Sequence, residues 1–228
     1  MFFDPLYLLF ALPGLIIAGI ASFYTHSTFA EYSKKRASSG MTGAEAAARM
    51  LSRAGIHDVK IERTEGFLSD HYDPTAMTLR LSPGVYDEDS LSAIGVACHE
   101  AGHAIQHAAA YGPLNLRSAL VPMANIGSYI SYGAVILGFF LHSGPMVMLG
   151  AILFSGVVLF SIVTLPVEWD ASARAKRMMV SAGIVSEGER NDAGKVLNAA
   201  FMTYIAAVIS SLLTLLYYIL RASHMNRD

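Results

Sequence analysis

Two histidines four residues apart, with a glutamate directly after the first, are the side chains best placed to do chemistry: His99-Glu100-Ala101-Gly102-His103. On a helix, positions four apart share a face. Both imidazoles can then grip one metal ion, with Glu100 one step round beside the open coordination position. That arrangement suits zinc with a general base next to it. With 8 histidines in the chain, the pattern is expected by chance only about 0.01 times, which makes it specific. The bland alternative is a helix carrying two hydrogen-bonded histidines and a solvated glutamate.

The element that must carry this motif is legible. Leu91 to Ala110 is rich in alanine, Ser90 is a ready N-cap, and Asp87 to Ser90 put acid at the N-terminus. Cys98 is the single cysteine, which excludes an intrachain disulfide and suits a reducing compartment. It points about 100° away from His99 and reads as a small buried residue. Upstream, Thr42-Gly-Ala-Glu45 is a capping box opening a short helix with an apolar face, closed by Gly55. Val59 and Ile61 alternate with polar residues as a short strand. Phe67 to Tyr72 and Met77 to Leu81 read as a hairpin around Asp73-Pro74-Thr75. Such a sheet leaves an edge strand, expected at Met77 to Leu81, that could hold an extended peptide.

Hydrophobic residues make up 54% of the 228 and charged residues 15%, with a mean hydropathy of +0.44. A soluble domain carries about 25% charged residues. The apolar residues cluster in four runs without Lys, Arg, Asp or Glu: Leu6 to Tyr24, Ala119 to Leu141, Met146 to Leu165 and Phe201 to Leu220. Each is close to the roughly 20 residues that cross a bilayer. Small residues in the second run suit close helix packing. Met1 to Pro5 lacks the basic start of a signal peptide, and Lys34, Lys35 and Arg36 follow the first run. An uncleaved anchor with its N-terminus outside is expected. Thr25 to Arg117 holds nine Lys/Arg, Val167 to Ala200 holds five, and the His142 to Gly144 turn holds none. Both large polar segments are therefore expected in the cytoplasm; Arg221 and Arg227 in the tail run against the rule.

The expected fold is a mainly α integral membrane protein with about four transmembrane helices and a small α+β zincin-like cytoplasmic domain. Its division is 1–24 anchor, 25–118 cytoplasmic catalytic part, 119–165 two membrane helices, 166–200 cytoplasmic helix with a third ligand, and 201–228 final membrane helix and tail. Pro166 and Gly183 are expected to bound that cytoplasmic helix. A net charge of −2 with no basic patch argues against nucleic acid. Nearly uncharged membrane runs argue against a transporter.

A catalytic zinc usually takes a third protein ligand. His142 falls on the outside, and His26, His57 and His224 lack supporting context. His107 is one turn too far along to share the ion with His99. Glu168, at the cytoplasmic mouth of the third run, fits best, with Asp170 as the rival. An interfacial Glu beside Trp169 is the bland reading.

The chain resembles the YugP-like neutral zinc metallopeptidases of bacterial membranes. The resemblance rests on Ser69-Asp-His-Tyr-Asp-Pro74, Val96-Ala-Cys-His-Glu-Ala-Gly-His-Ala-Ile-Gln106, Leu165-Pro-Val-Glu-Trp-Asp-Ala-Ser-Ala-Arg-Ala175 and Val196-Leu-Asn-Ala-Ala200, nearly the whole chain. A more distant likeness is to the gluzincin HtpX and the CAAX prenyl proteases, which place the glutamate ligand after membrane helices and face the cytoplasm. The resemblance implies one zinc per chain on His99, His103 and Glu168, Glu100 as base, and a multi-pass place in the bacterial inner membrane. The distant relatives carry an aspartate four residues after the ligand glutamate, where this chain has Ser172; Asp170 or Asp73 could replace it.

The expected chemistry is hydrolysis of peptide bonds in protein substrates. Glu100 would take a proton from water and pass it to the leaving amine. His71, Tyr72, His107, Arg174 and Asn198 are candidates to stabilise the oxyanion. Intramembrane proteolysis is disfavoured, because no acid lies inside a run. A zinc-binding scaffold or assembly factor without hydrolysis is the alternative class.

Overall fold

The computed structural model describes residues 5–66 and 69–225. The order is α1 (Pro5–Tyr32), α2 (Gly43–Arg53), β1 (Lys60–Arg63), β2 (His71–Asp73), β3 (Thr78–Leu81), α3 (Pro83–Tyr86), α4 (Leu91–Ala108), α5 (Gly112–Phe140), α6 (Gly144–Ser181) and α7 (Glu187–Met225). Helices α1, α5, α6 and α7 are each long and apolar enough to cross a membrane. They cover the four apolar runs, apart from Leu141 just beyond the end of α5, and each extends past its run at one end or both. Pro166 lies inside α6 rather than at a boundary. A proline costs one helical hydrogen bond, and here buried Val167, Glu168 and Ala171 directly beyond it hold the chain helical. Gly183, at φ +65, closes α6 as its sequence position suggests. The fourth long helix opens at Glu187, well before its apolar run, through an unforeseen capping box. The Ser186 hydroxyl accepts from the Glu189 N–H at 3.3 Å, and Glu189 accepts from the Ser186 N–H at 2.8 Å.

The chain forms two compact units. One comprises residues up to 22, 115–166 and 203 onward. Its core gathers Val135, Ala151, Phe154, Val158, Tyr217 and Tyr218. Small residues let α5 and α6 touch: a Cβ on Gly138 would sit 2.8 Å from the Val147 nitrogen. The Ser131 hydroxyl donates to the Gly150 carbonyl at 2.8 Å.

The other unit comprises 23–114 and 167–202. Its core joins Met50 of α2, Leu79 and Leu81 of β3, Ile94 and Ala97 of α4, and Met179 of α6, all buried. The Thr42–Glu45 capping box and the Ser90 cap, which accepts from the Ala93 N–H, form as expected. The sheet order is β1-β3-β2, with β1 parallel and β2 antiparallel to β3. Asp73 closes the expected turn by accepting from the Thr75 and Ala76 N–H groups. Of the first hairpin arm, Phe67 and Leu68 lie outside the described residues, as do Met1 to Asp4 and Arg227. One expectation is corrected. Met77 to Leu81 is not an edge strand, because β1 pairs with β3 on the side away from β2. Both flanks of β3 are occupied, so the edges of the sheet are β1 and β2.

Candidate metal centre

Helix α4 delivers His99 and His103 one turn apart, with ring centroids 4.8 Å from each other. Helix α6 delivers Glu168. The two helices approach closely because position 102 lacks a side chain: a Cβ there would lie 2.7 Å from the Ala171 carbonyl oxygen. Ala171 is itself fully buried at this contact.

The Glu168 carboxylate is 2% exposed. Its Oε2 lies 3.1 Å from His99 Nε2 and 3.5 Å from His103 Nε2. Tetrahedral donors about 2.0–2.1 Å from one zinc ion would stand about 3.3 Å apart. The other nitrogen of each imidazole is already engaged. His99 Nδ1 lies 3.0 Å from the Ser172 hydroxyl, and His103 Nδ1 lies 3.0 Å from Gln106 Oε1. Both Nε2 atoms are thus left to converge on the carboxylate. Two imidazoles and one buried carboxylate, with one donor atom from each within 4.8 Å of the others, form a set that could hold a metal ion. It is the sole such group of three among the described residues. The donor chemistry fits zinc.

Electrostatics separates the two glutamates. Burial works against ionisation of Glu168, yet hydrogen bonds from His103 and His99 outweigh it and hold the carboxyl well below its usual range. Burial instead pushes Glu100 up, with the same histidines only partly opposing it. One Glu100 oxygen accepts the Tyr72 N–H at 3.0 Å, which leaves the other for a proton.

A family model described as "Putative neutral zinc metallopeptidase" matches residues 7–223. The chain belongs to this family. It is 45% identical to the "Putative membrane protease YugP" of Bacillus subtilis (strain 168) over 215 residues, 94% of this chain and 96% of that one. No solved structure matches.

Asp170 is not among the three donors; it accepts from the Gln106 amide at 2.9 Å and pairs with Arg174. Asp73 does not support the histidines either. It pairs with Arg80 at 2.8 Å. His107, excluded from ligation by its spacing, stands outside the triad, with Nδ1 2.9 Å from the Tyr72 hydroxyl. His71 is exposed and contacts the Ser69 carbonyl. Asn198 accepts from Lys176 at 3.2 Å. Cys98 is fully buried, and burial pushes its thiol far up, as suits an inert packing residue. Gln106 carried no expected role. Its spacing of three from His103 on one helix was the signal that could have found it.

Proposed function

We propose that this protein is a gluzincin-type zinc peptidase of the bacterial inner membrane, hydrolysing peptide bonds of protein substrates at the cytoplasmic face. The convergence of His99, His103 and buried Glu168 beside Glu100 carries the reading. Those three would hold one zinc per chain. When bound, zinc would acidify a water molecule and polarise the scissile carbonyl. Glu100 takes the proton of the attacking water on its free oxygen, while the Tyr72 N–H steadies the other. It then delivers that proton to the departing amine. The raised proton affinity of buried Glu100 suits both transfers. Ser172 and Gln106 keep the imidazoles turned with Nε2 inward.

An extended substrate would lie along the free edge of β2 rather than β3. In an antiparallel strand the carbonyl of Tyr72 leaves on the same edge as its N–H, which points away from β3 to Glu100. The basic residues of 25–118 and 166–200 support the cytoplasmic orientation. Purified protein should cleave casein in a zinc-dependent manner, and chelator or Glu100→Gln should abolish cleavage. Zinc binding without hydrolysis of any protein would favour the scaffold class instead.

A further inference from the structure

We propose that Ser172 and Gln106 are positioning residues that hold both metal-binding imidazoles through uncharged acceptors, keeping the metal less tightly bound than carboxylate-backed histidines would. This rests on the metal-centre reading above.

The orientation of Gln106 is dictated by its surroundings. It is fully buried on α4. Its Nε2 donates to the Val167 carbonyl at 2.8 Å and to Asp170 at 2.9 Å, both acceptors. Turning the amide over would set its oxygen against two oxygens. Oε1 therefore faces His103 and accepts from Nδ1–H, which fixes that tautomer. On His99, the Ser172 hydroxyl oxygen occupies the matching position. Ser172 lies one helical turn after Glu168, so one face of α6 supplies both a ligand and the partner of another ligand.

A carboxylate on Nδ1 makes an imidazole a stronger donor. Neither histidine has one at this distance. Beyond the Gln106 amide that meets His103 Nδ1 stands Asp170, one residue removed and paired with Arg174. The metal would then receive one full negative charge, from Glu168. Loss of a partner on a ligand histidine typically costs 10–100-fold in metal affinity.

Zinc affinity of the full-length protein in detergent, measured by competition with a chromophoric chelator, tests this without reference to activity. Ser172→Ala and Gln106→Met should each weaken zinc binding about tenfold. Ser172→Thr, which keeps the hydroxyl, should restore near wild-type affinity, and Ser172→Asp should bind zinc more tightly than wild type. Thermal melts of the zinc-free proteins establish that each variant is folded. Affinities of Ser172→Ala and Gln106→Met within twofold of wild type would overturn the positioning role. A Ser172→Asp affinity no greater than wild type would overturn the uncharged-partner argument, whether or not the other variants fold. His103→Ala separates the two levels. If it abolishes zinc binding while Ser172→Ala and Gln106→Met change nothing, only this inference fails. If wild type binds no zinc, or His103→Ala binds like wild type, the metal centre itself fails.

Discussion

Glu100 and Glu168 share the same two histidines yet are driven in opposite directions. Both imidazole Nε2 atoms face the Glu168 carboxylate, at 3.1 and 3.5 Å, and the two rings oppose its protonation. Glu100 receives one backbone N–H and is pushed up by burial. A base works only when ionised, so activity should fall once the pH is low enough to protonate Glu100. Glu100→Gln should retain zinc and lose at least about 10²-fold in kcat; full activity would sink the base role. Glu168→Ala should lower zinc occupancy, whereas unchanged occupancy would move the ligand elsewhere. The grouping of His99, His103 and Glu168 was legible because helical spacing and the alternation of apolar runs are strong constraints. Their supporting partners were not. Ser172 stood where an acid was expected, and a hydroxyl serves in its place. Asp170 reaches His103 only through Gln106, a distance that spacing alone does not reveal.

Helix α4 depends on having no side chain at position 102. Adding a methyl group there pushes a Cβ into the Ala171 carbonyl, and both are backbone-fixed. Gly102→Ala should cost about 1–3 kcal/mol of stability and draw Glu168 away from the histidines. Zinc titration and thermal melts would both register it; wild-type values in both would show that α6 can yield. Glu189 has a comparable role at the start of α7. Burial opposes its ionisation, but the backbone and hydroxyl groups of Ser186 and Ser38 prevail and pull its carboxyl down to about 2. A depressed acid contributes stability above its unfolded value, and that contribution is lost as pH falls from about 4.5 toward about 2. Glu189→Gln should flatten this acid-side loss and lower stability at neutral pH by about 1 kcal/mol; an unchanged acid melt would remove the cap's importance. Among helix ends, the Thr42 and Ser90 caps were readable from sequence. The order β1-β3-β2 was not, since parallel pairing of β1 with β3 depends on packing distant from either strand's own pattern.

Across the whole molecule, four apolar helices account for the hydropathy. Their number was plain in the sequence because uncharged runs of bilayer length have few other uses. Their ends were less so, since helices continue past the apolar stretch when the next residues are also packed. The proposed orientation puts exposed His142 outside and Glu187 inside. In a Cys98→Ala background, a cysteine at 142 should react with an impermeant maleimide on intact cells, and one at 187 only after permeabilisation. The reverse pattern would invert the topology. The separation of Glu168 from His103 along the chain also has a consequence in time. A ribosome completes the two-histidine half of the centre long before it reaches the carboxylate. Between the two it must make the apolar stretches of α5 and α6. A nascent or truncated chain ending before residue 168 therefore carries two of the three donors and no complete grip on a metal. Synthesis order alone keeps the centre unfinished until those helices have been made.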